Sequence, residues 1–359
     1  MPSSKKTDLD AVVAAIRGTA DRIPAERVSL MEVCGTHTTA IFRHGIRSLL
    51  PPKINLISGP GCPVCVTSQG YLDTAIAIAR REGVIIATFG DMIRVPGTDS
   101  TIEKEKAAGA DVRVVYSPAD ALKLARDNPA KTVVFLAVGF ETTAPTTAVV
   151  VRQAKAQGVG NFLILSAHKL IPPAMKALVS GGEVRIDGFI CPGHVSVVIG
   201  AKGYAELAAA TRCPCVVAGF EAADILITIQ MILAQLAEGR SEVEIEYRQC
   251  VNRDGSAPAQ RLMAEVFVPA DSVWRGLGEI PGSGLDLRDE FAGHDALQRF
   301  GLMIPHAPEP PGCMCGDVLR GAVLPPDCPL FRSVCTPTSP VGPCMVSSEG
   351  SCQAYYKYA

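Results

Sequence analysis

Short apolar runs alternate with helical patterns along the first two thirds of the chain. Apolar residues at helical spacing near the start predict an amphipathic helix through Leu9, Val12, Val13, Ile16 and Ile23. The apolar runs predict strands at 54–57, 84–89, 112–115, 133–138, 162–165, 188–191 and 215–218. Helical periodicity between these runs covers 71–80, 117–127, 146–156 and 174–180. Strands and helices in alternation predict an α/β fold with parallel sheets.

Three of the predicted strands end in similar sequences, which are TFGD at 88–91, VGFE at 138–141 and AGFE at 218–221. The repetition predicts two similar α/β units, over 26–130 and 131–240. Residues 1–25 would be an N-terminal helix that packs on the C-terminal domain. Residues 243–268 predict alternating extended chain, and 304–345 predict a long proline-rich loop. We therefore expect a loop-rich iron–sulfur domain over 241–359, because a metal centre supplies the cross-links that such a loop lacks.

The carboxylates at these three strand ends have two interpretations. Ligands bind beyond the carboxyl ends of strands in open α/β sheets, so Asp91, Glu141 and Glu221 would face a cleft. Alternatively, each carboxylate caps the helix that follows it. We favour capping for Glu221, and both interpretations stay open for Asp91 and Glu141.

Charge and composition exclude several classes of protein. The 34 basic and 36 acidic residues are nearly balanced. The sequence has no basic stripe with interleaved aromatic residues, which is the pattern that would indicate nucleic-acid binding. The sequence has no run of about 18 apolar residues, so we expect no membrane span. The polar start of the chain predicts no targeting signal, so we expect a cytoplasmic protein. In that compartment 13 cysteines indicate metal or redox chemistry instead of a disulfide framework.

Six of these cysteines lie in the last 47 residues, here called the tail, with the spacing C-x-C-x12-C-x6-C-x8-C-x7-C. Four thiolates fit the common iron–sulfur clusters, and two cysteines are left over. Cys313 and Cys315 would share one face of extended chain, one as a ligand and the other as a neighbouring free thiol. The spacing therefore predicts a four-thiolate cluster beside a dithiol. Zinc is the main alternative, although the tail lacks the paired C-x2–4-C knuckles of many zinc sites.

A second set of cysteines lies near the front of the chain. Cys62 and Cys65 form a C-x-x-C in GPGCPVC, between a predicted strand and a helix that starts near Ser68. At a helix N-terminus such a pair has lowered thiol pKa values and cycles between dithiol and disulfide. It could equally bind a soft metal or fill a tight turn. Cys34, in CGTHT, and His194, in CPGH, also follow apolar runs. We expect packing roles for the remaining cysteines, which are Cys191, Cys213, Cys215 and Cys250.

The motifs as a whole resemble one protein family. They run along nearly the whole chain as MEVCGTHT, SGPGCPVC, FGDMIRVPG, VGFETTAP, SAHKLIPPA, DGFICPGHVS and CMCGDVLRG. These sequences closely resemble the HypD family, whose members are scaffolds in [NiFe]-hydrogenase maturation. The resemblance implies that the chain helps to build the Fe(CN)2CO group of the hydrogenase active site, with iron held between it and the small chaperone HypC. Cyanide would be delivered by HypE, which is itself charged by HypF.

The same resemblance implies roles for the front residues. The assembly site would be lined by Cys34, Cys62 and Cys65. Asp91 and His194 would participate as proton carriers or as hydrogen-bond partners of the cyanides. One or both thiols of the C-x-x-C would hold the iron together with a cysteine of HypC, since thiolates suit low-valent iron.

For the tail, the resemblance extends to the cluster region of ferredoxin–thioredoxin reductase. It implies a [4Fe-4S] cluster on four ligands, which are Cys313, Cys328, Cys335 and Cys352. Cys315 and Cys344 would then be a redox dithiol that passes electrons toward the front C-x-x-C. On this hypothesis Cys62 and Cys65 alternate between a disulfide and iron-bound thiolates.

Two alternatives fit parts of the sequence. A cluster-dependent thiol–disulfide oxidoreductase acting on proteins would use the tail and the C-x-x-C, but would leave CGTH and the GFETT region unused. A zinc-stabilised binding module would have no redox role. A radical SAM enzyme is disfavoured because the sequence has no C-x3-C-x2-C triplet.

Overall fold

The structure, a computed structural model, describes residues 8–359 of the chain. Its strands are β1 (Val28–Glu32), β2 (Ile54–Ser58), β3 (Val84–Thr88), β4 (Asp111–Val114), β5 (Thr132–Gly139), β6 (Phe162–His168), β7 (Gly188–Pro192), β8 (Cys215–Ala218), β9 (Val243–Ile245), β10 (Phe267–Trp274) and β11 (Gly278–Leu287). The first sheet has the order β2-β1-β7-β8-β9 and the second sheet the order β4-β3-β5-β6. All pairs within these two sheets are parallel, which confirms the predicted α/β class with two parallel-sheet units.

Helices cover both sheets. The α-helices are α1 (Leu9–Arg22), α2 (Gly35–Arg43), α3 (Ile46–Leu49), α4 (Gln69–Ala79), α5 (Ile102–Ala107), α6 (Pro118–Asp127), α7 (Ala144–Ala156), α8 (Ile171–Gly181), α9 (Gly193–Ile199), α10 (Ala205–Thr211), α11 (Ala222–Ala237), α12 (Ala257–Val266), α13 (Ala296–Phe300), α14 (Cys315–Arg320), α15 (Pro343–Val346) and α16 (Ser351–Tyr358). Short 3-10 helices cover Gly90–Arg94, Ala201–Tyr204, Asp289–His294 and Pro325–Asp327. Between Leu9 and Tyr358, none of these helices is long and apolar enough to cross a membrane.

Each sheet draws its strands from a different set of sequence positions than expected. The first sheet joins β1 and β2 to β7, β8 and β9, whereas β3 to β6 form the second sheet. The expected units, 26–130 and 131–240, therefore do not correspond to the sheets, and the boundary near residue 130 lies inside the second one. Apolar runs identify strands, but their order depends on pairing between distant residues, such as Met31 with Phe189.

The first helix packs on the first sheet and not, as expected, on the C-terminal domain. Ile16 of α1 shares an apolar core with Ile225 and Ile229 of α11. Gln230 of the same helix donates its side-chain N–H to Thr19 Oγ1 at 3.0 Å. The apolar face of α1 is buried here because α11 offers it a long apolar surface.

Residues 241–359 contain regular structure that the sequence did not predict. Residues 257–266 form α12, although the prediction for 243–268 was extended chain. Ser256 caps this helix by accepting the N–H of Ala259 at 3.4 Å, and Leu262 and Met263 pack on the core of the second sheet. The alternating apolar residues of this segment led to the prediction of extended chain. Their spacing also fits a helix, which buries one face of α12 against the core.

The β10–β11 hairpin ties this segment to both sheets. Beyond β6, Leu170 donates its N–H to Ser283 O at 2.8 Å. On the other side, Arg275 donates its backbone N–H to Val66 O at 2.9 Å, beyond β2. The buried Trp274 also donates its indole N–H to Ser283 Oγ at 2.8 Å. The tail that follows is thereby held over the carboxyl ends of the first sheet.

Candidate functional site

The front site residues follow adjacent strands of the first sheet. Cys34 comes after β1 and immediately precedes α2, and the turn with Cys62 and Cys65 comes after β2. His194 follows β7, which pairs with β1. Parallel strands present their carboxyl ends at one edge, so the sheet itself brings CGTH, GPGCPVC and CPGH together.

Close backbone contact joins the first two of these turns. Gly35 donates its N–H to Gly61 O at 3.0 Å. A Cβ placed on Gly61 would lie 2.1 Å from Cys34 N and 2.4 Å from Val33 C. Only a residue without a side chain fits this contact, which sets the position of Cys34 against the C-x-x-C turn.

Cys62 and Cys65, here called the front pair, lie with their sulfur atoms 2.7 Å apart. Both are buried, and Cys65 N–H points at Cys62 Sγ at 3.3 Å. The turn ends before α4, whose N-cap is Ser68, so the pair does not sit on a helix N-terminus. Burial raises the pKa of Cys65, against a lowering by the Cys344 thiol. The predicted lowered thiol pKa is therefore wrong for Cys65, because desolvation dominates.

Cys34 is a buried, protonated thiol. Burial raises its pKa to about 12, and the nearby charges of Glu349 and Glu32 act in the same direction. Glu32 is itself buried, where it accepts the Thr38 hydroxyl at 2.5 Å and the Cys34 N–H at 3.0 Å. Burial raises the pKa of Glu32 to about 7 despite these hydrogen bonds.

The six tail cysteines surround one cavity. Its lining includes all of them, namely Cys313, Cys315, Cys328, Cys335, Cys344 and Cys352. Cys315 and Cys344, here called the tail pair, have their sulfur atoms 2.6 Å apart. Val341 N–H points at Cys335 Sγ at 3.3 Å. Within residues 8–359 no group of three or more Cys, His, Asp or Glu is arranged to hold a single metal ion.

The front pair and the tail pair are neighbours. The Cys65 and Cys344 thiols lie close enough for each to affect the pKa of the other. The Cys315 thiol lowers the pKa of Cys344, but Cys352, Cys65 and burial outweigh it and raise the pKa overall. Four thiols thus form a continuous row, in the order Cys62, Cys65, Cys344 and Cys315. The sequence had placed these pairs about 250 residues apart without showing that they meet.

A loop between two tail cysteines closes over the CGTH turn. Thr36 donates its hydroxyl to Glu349 Oε1 at 2.9 Å, and Ser347 donates its hydroxyl to Asp91 Oδ2 at 3.0 Å. A Cβ on Gly35 would lie 2.3 Å from Glu349 Cβ, so the loop lies directly on this backbone. Asp91 reaches the same place from the end of β3 in the second sheet. The predicted Asp91 is therefore near the front turns.

Glu349 is a site residue that the sequence reasoning missed. Burial raises the pKa of its carboxyl group, and the charge of Asp91 adds to this, whereas Thr36 and His194 lower it. A cluster of three ionisable side chains therefore lies beside Cys34, namely Asp91, His194 and Glu349. The available signal was an acid between two cysteines in SSEGSC, but a lone acid in a loop carries little information.

Two histidines flank one phenylalanine beyond β8. The exposed His194 ring stacks on Phe220 with centroids 4.0 Å apart, and the buried His37 ring stacks on the same residue at 5.0 Å. His37 Nε2 is hydrogen-bonded to Gly219 O at 2.9 Å, and burial lowers its pKa to about 4. The sequence reasoning quoted His37 within CGTH but missed it as a packing partner of the site.

Two other strand-end acids lie elsewhere. Glu221 is the N-cap residue of α11, as we favoured. Glu141 is buried and accepts the N–H of Ile171 at 3.0 Å, so it caps α8 and not the helix that follows it. Cys191, Cys213 and Cys215 are buried packing residues as expected, whereas Cys250 is exposed, contrary to expectation.

Gly61→Ala should displace the two front turns, because the new Cβ meets backbone atoms that cannot move aside. We expect a loss of about 1–3 kcal/mol in the free energy of unfolding. Urea unfolding measures this loss. Gly160→Ala is the matched control, since a Cβ there meets nothing within 4 Å. Equal urea-unfolding midpoints for Gly61→Ala and Gly160→Ala would contradict the close contact between Gly61 and the Cys34 backbone.

Glu141→Gln should remove a pH dependence of stability. Burial raises the pKa of Glu141 from 4.5 to about 7, although hydrogen bonds from its own N–H and that of Ile171 lower it. The stability it contributes is complete below pH 4.5 and is lost as the pH rises through about 7. This loss is on the order of 1–3 kcal/mol. Urea unfolding from pH 4.5 to 8 should show a flatter profile for the variant, and parallel profiles would refute the assignment. The exposed Glu221→Gln is the control.

Comparison with known proteins matches this chain to one family. A family described as "HypD: Hydrogenase formation hypA family" matches residues 8–359. The hydrogenase maturation factor HypD of Cupriavidus necator is 48% identical over 94% of this chain and 92% of its own. The factor of the same name from Azotobacter vinelandii is 48% identical, covering 96% and 93%, and that of Escherichia coli K12 is 47% identical, covering 93% and 90%. The chain therefore belongs to the HypD family of hydrogenase maturation factors.

Proposed function

We propose that this chain is the scaffold on which the Fe(CN)2CO group of [NiFe]-hydrogenase is assembled, in the cytoplasm and in complex with HypC. Cyanide would be delivered by HypE after HypF has charged it. Membership of the HypD family supports the general role. The observation that carries the specific proposal is the row of four buried thiols from Cys62 to Cys315. Such a row combines soft ligands for low-valent iron with a store of electrons.

In this proposal the front pair binds the iron that is being assembled, together with a thiolate from HypC. The buried thiols of this pair must lose their protons when they bind the metal. The cluster of Asp91, His194 and Glu349 lies beside Cys34, and its side chains would accept these protons. Hydrogen bonds from the same side chains would orient the cyanide ligands. Cys34 remains protonated next to Glu32 and would serve as a donor at this site.

The tail suits a [4Fe-4S] cluster on chemical grounds. Its six thiols surround a cavity. The family resemblance assigns Cys315 and Cys344, whose sulfur atoms are 2.6 Å apart, to the dithiol and the other four cysteines to the cluster. These proposed ligands are Cys313, Cys328, Cys335 and Cys352. Val341 supplies a backbone N–H to Cys335 sulfur, the kind of hydrogen bond that tunes cluster potentials. When bound, a cluster here would supply electrons one at a time.

The thiol row allows a balanced exchange between the two pairs. Starting from a Cys62–Cys65 disulfide, the Cys344 thiolate attacks Cys65 sulfur and Cys62 leaves as a thiolate. The Cys315 thiolate then attacks Cys344 sulfur, which frees Cys65 and leaves a Cys315–Cys344 disulfide. Two electrons thus pass from the tail pair to the front pair, and the two protons lost by the tail thiols are taken up by the front thiols. The front pair is then ready to bind iron.

The alternative of a general thiol–disulfide oxidoreductase has less support. Cys65 is fully buried, and Cys62, Cys315 and Cys344 are each at most 3% exposed. A disulfide of a folded protein substrate carries backbone on both of its sides and could not reach these sulfur atoms without opening of the structure. The iron complex that we propose needs only one cysteine side chain of HypC to extend into the site. The zinc module also has less support, because six thiols surround the tail cavity and a structural zinc ion binds four ligands.

Infrared spectroscopy on the protein co-expressed with HypC and purified without oxygen tests the scaffold proposal. The native chain should show CN and CO stretching bands, with more iron than one cluster holds. Cys62→Ala should lose these bands, because one thiolate ligand of the assembled iron is missing. Cys250→Ser is the matched control, because Cys250 is exposed and lies outside both pairs.

Normal CN and CO stretching bands in Cys62→Ala would show that Cys62 is not a ligand of the assembled iron. Cluster absorption without CN or CO bands in the native chain, with HypE and HypF present, would favour the oxidoreductase instead.

Cys315→Ser should arrest the exchange half way. The second step is then impossible, so a Cys65–Cys344 disulfide should accumulate when the front pair starts oxidised. Acid quenching, alkylation and mass spectrometry of the peptides would detect this linkage. Cys344→Ser should keep the Cys62–Cys65 disulfide and form no link to the tail. In Cys315→Ser, a disulfide between Cys344 and Cys62 in place of Cys65 would contradict the proposed order of exchange.

A further inference from the structure

A large cavity, here called the hairpin cavity, is lined by the β10–β11 hairpin, β6 and the start of α4. Its volume is about 720 Å³, a size at which many proteins bind small organic molecules. Each of these elements contributes to its wall, with Trp274, Ser166 and Gln69 among the lining residues. None of the 13 cysteines of the chain lines it. The proposed assembly of iron therefore makes no use of this cavity.

Two buried basic side chains, Arg275 and Lys169, form part of the cavity wall. Arg275 is 2% exposed and Lys169 is 3% exposed. Arg275 donates from Nε to Thr67 O at 3.0 Å and from Nη2 to Gln69 Oε1 at 2.8 Å. Its Nη1 has no hydrogen-bond partner within residues 8–359. The guanidinium thus has only neutral partners and one donor nitrogen without a partner.

Lys169 is likewise held by neutral groups. Its Nζ donates to Ser272 Oγ and to Val273 O, both at 2.8 Å, and lies 5.2 Å from the centre of the Trp274 ring. Burial lowers the pKa of Lys169 to about 7. A buried charge without a counter-charge is unfavourable, and neither cation has a carboxylate partner in the described part of the chain. An anionic group bound in the cavity would therefore stabilise both side chains.

The N-terminus of α4 adds positive potential to the same wall. Ser68, the N-cap residue, lines the cavity together with Gln69 and Gly70 of the first turn. The first N–H groups of a helix have no partner within the helix and carry a partial positive charge. An anion in the cavity would meet this helix end as well as the two buried cations.

The acidic residues of the lining are more exposed than the two cations. They are Asp271, Glu279, Asp286, Asp295 and Glu309. None of them accepts a hydrogen bond from Lys169 or Arg275. The remaining lining arginine, Arg320, is paired with Glu183 and Asp317. Negative charge in the more exposed part of the wall disfavours a ligand that carries more than one negative charge.

We propose that the hairpin cavity is a binding site for a small organic monocarboxylate, whose carboxylate lies against Arg275 and Lys169 and whose apolar body packs on Trp274. The planar guanidinium group is well suited to bind carboxylates. The site adjoins the C-x-x-C turn, since Arg275 donates its backbone N–H to Val66 O, and Val66 directly follows Cys65. The structural alternative is that Arg275 only ties the turn at Thr67 to the hairpin.

The fluorescence of Trp274, the only tryptophan of the chain, reports binding directly. The purified full chain is titrated in slightly acidic buffer, where Lys169 is protonated, with hexanoate, adipate, 1-hexanol and inorganic phosphate. Hexanoate should give a saturable change. The other three should bind at least about tenfold more weakly. Adipate carries a second charge, 1-hexanol carries none, and phosphate lacks an apolar body.

Four variants assign the binding to named residues. Arg275→Gln and Gln69→Glu should each weaken hexanoate binding by at least about tenfold. Gln69→Glu gives the guanidinium a carboxylate partner and keeps Arg275 in place, so this result does not depend on the folding of Arg275→Gln. Asp286→Asn removes a negative charge from the lining and should bind hexanoate at least as tightly as the native chain. Arg80→Gln is the control, because Arg80 lies on the surface and is paired with Glu105.

Several outcomes would overturn the inference. The absence of a saturable change with all four compounds would rule out the site. Adipate, 1-hexanol or phosphate binding as tightly as hexanoate would rule out a monocarboxylate as its ligand. Native hexanoate affinity in Gln69→Glu would leave Arg275 with the structural role alone. Cys62→Ala should keep the native affinity, so failure of the proposed iron assembly would not affect this test.

Discussion

The contact between the tail and the CGTH turn is the constraint on which the candidate site depends. Gly35 and Gly61 bring backbone to backbone at the ends of β1 and β2, and Glu349 fills the remaining space over Gly35. A side chain at either glycine would separate these segments. The same closure places Cys344 beside Cys65, so the thiol row is a consequence of backbone packing at two glycines.

Burial then determines the chemistry of the thiols. Cys34, Cys65 and Cys344 all have raised pKa values, and burial contributes to each shift. A buried thiol with a raised pKa is unreactive until a metal ion, a base or a neighbouring leaving thiolate takes its proton. In this arrangement the row of thiols is protected from chance oxidation, while a metal ion that enters the site activates the thiols it binds.

Local patterns were sufficient to predict much of this molecule. Strand and helix positions in the first two thirds follow from apolar runs, and the α/β class follows from their alternation. The division between four cluster cysteines and the Cys315–Cys344 pair came from a family resemblance and stays a prediction. Strand order could not be predicted, because the pairing of β1 with β7 depends on residues far apart. Glu349 was missed for the same reason, since its partner Thr36 lies 313 residues away.

The interleaved strand order has a consequence for the ribosome. The second sheet, β3 to β6, is contiguous and can fold while the rest of the chain is still being made. The first sheet stays incomplete until residue 245 has left the ribosome, because β1 lacks its partner β7, and β8 and β9 extend the sheet only after β7. The row of thiols is completed later still, when Cys344 arrives. A nascent chain would therefore expose its front cysteines without the tail thiols. If the front pair binds iron and the tail pair supplies electrons, as we propose, late closure by the tail confines that binding to finished molecules.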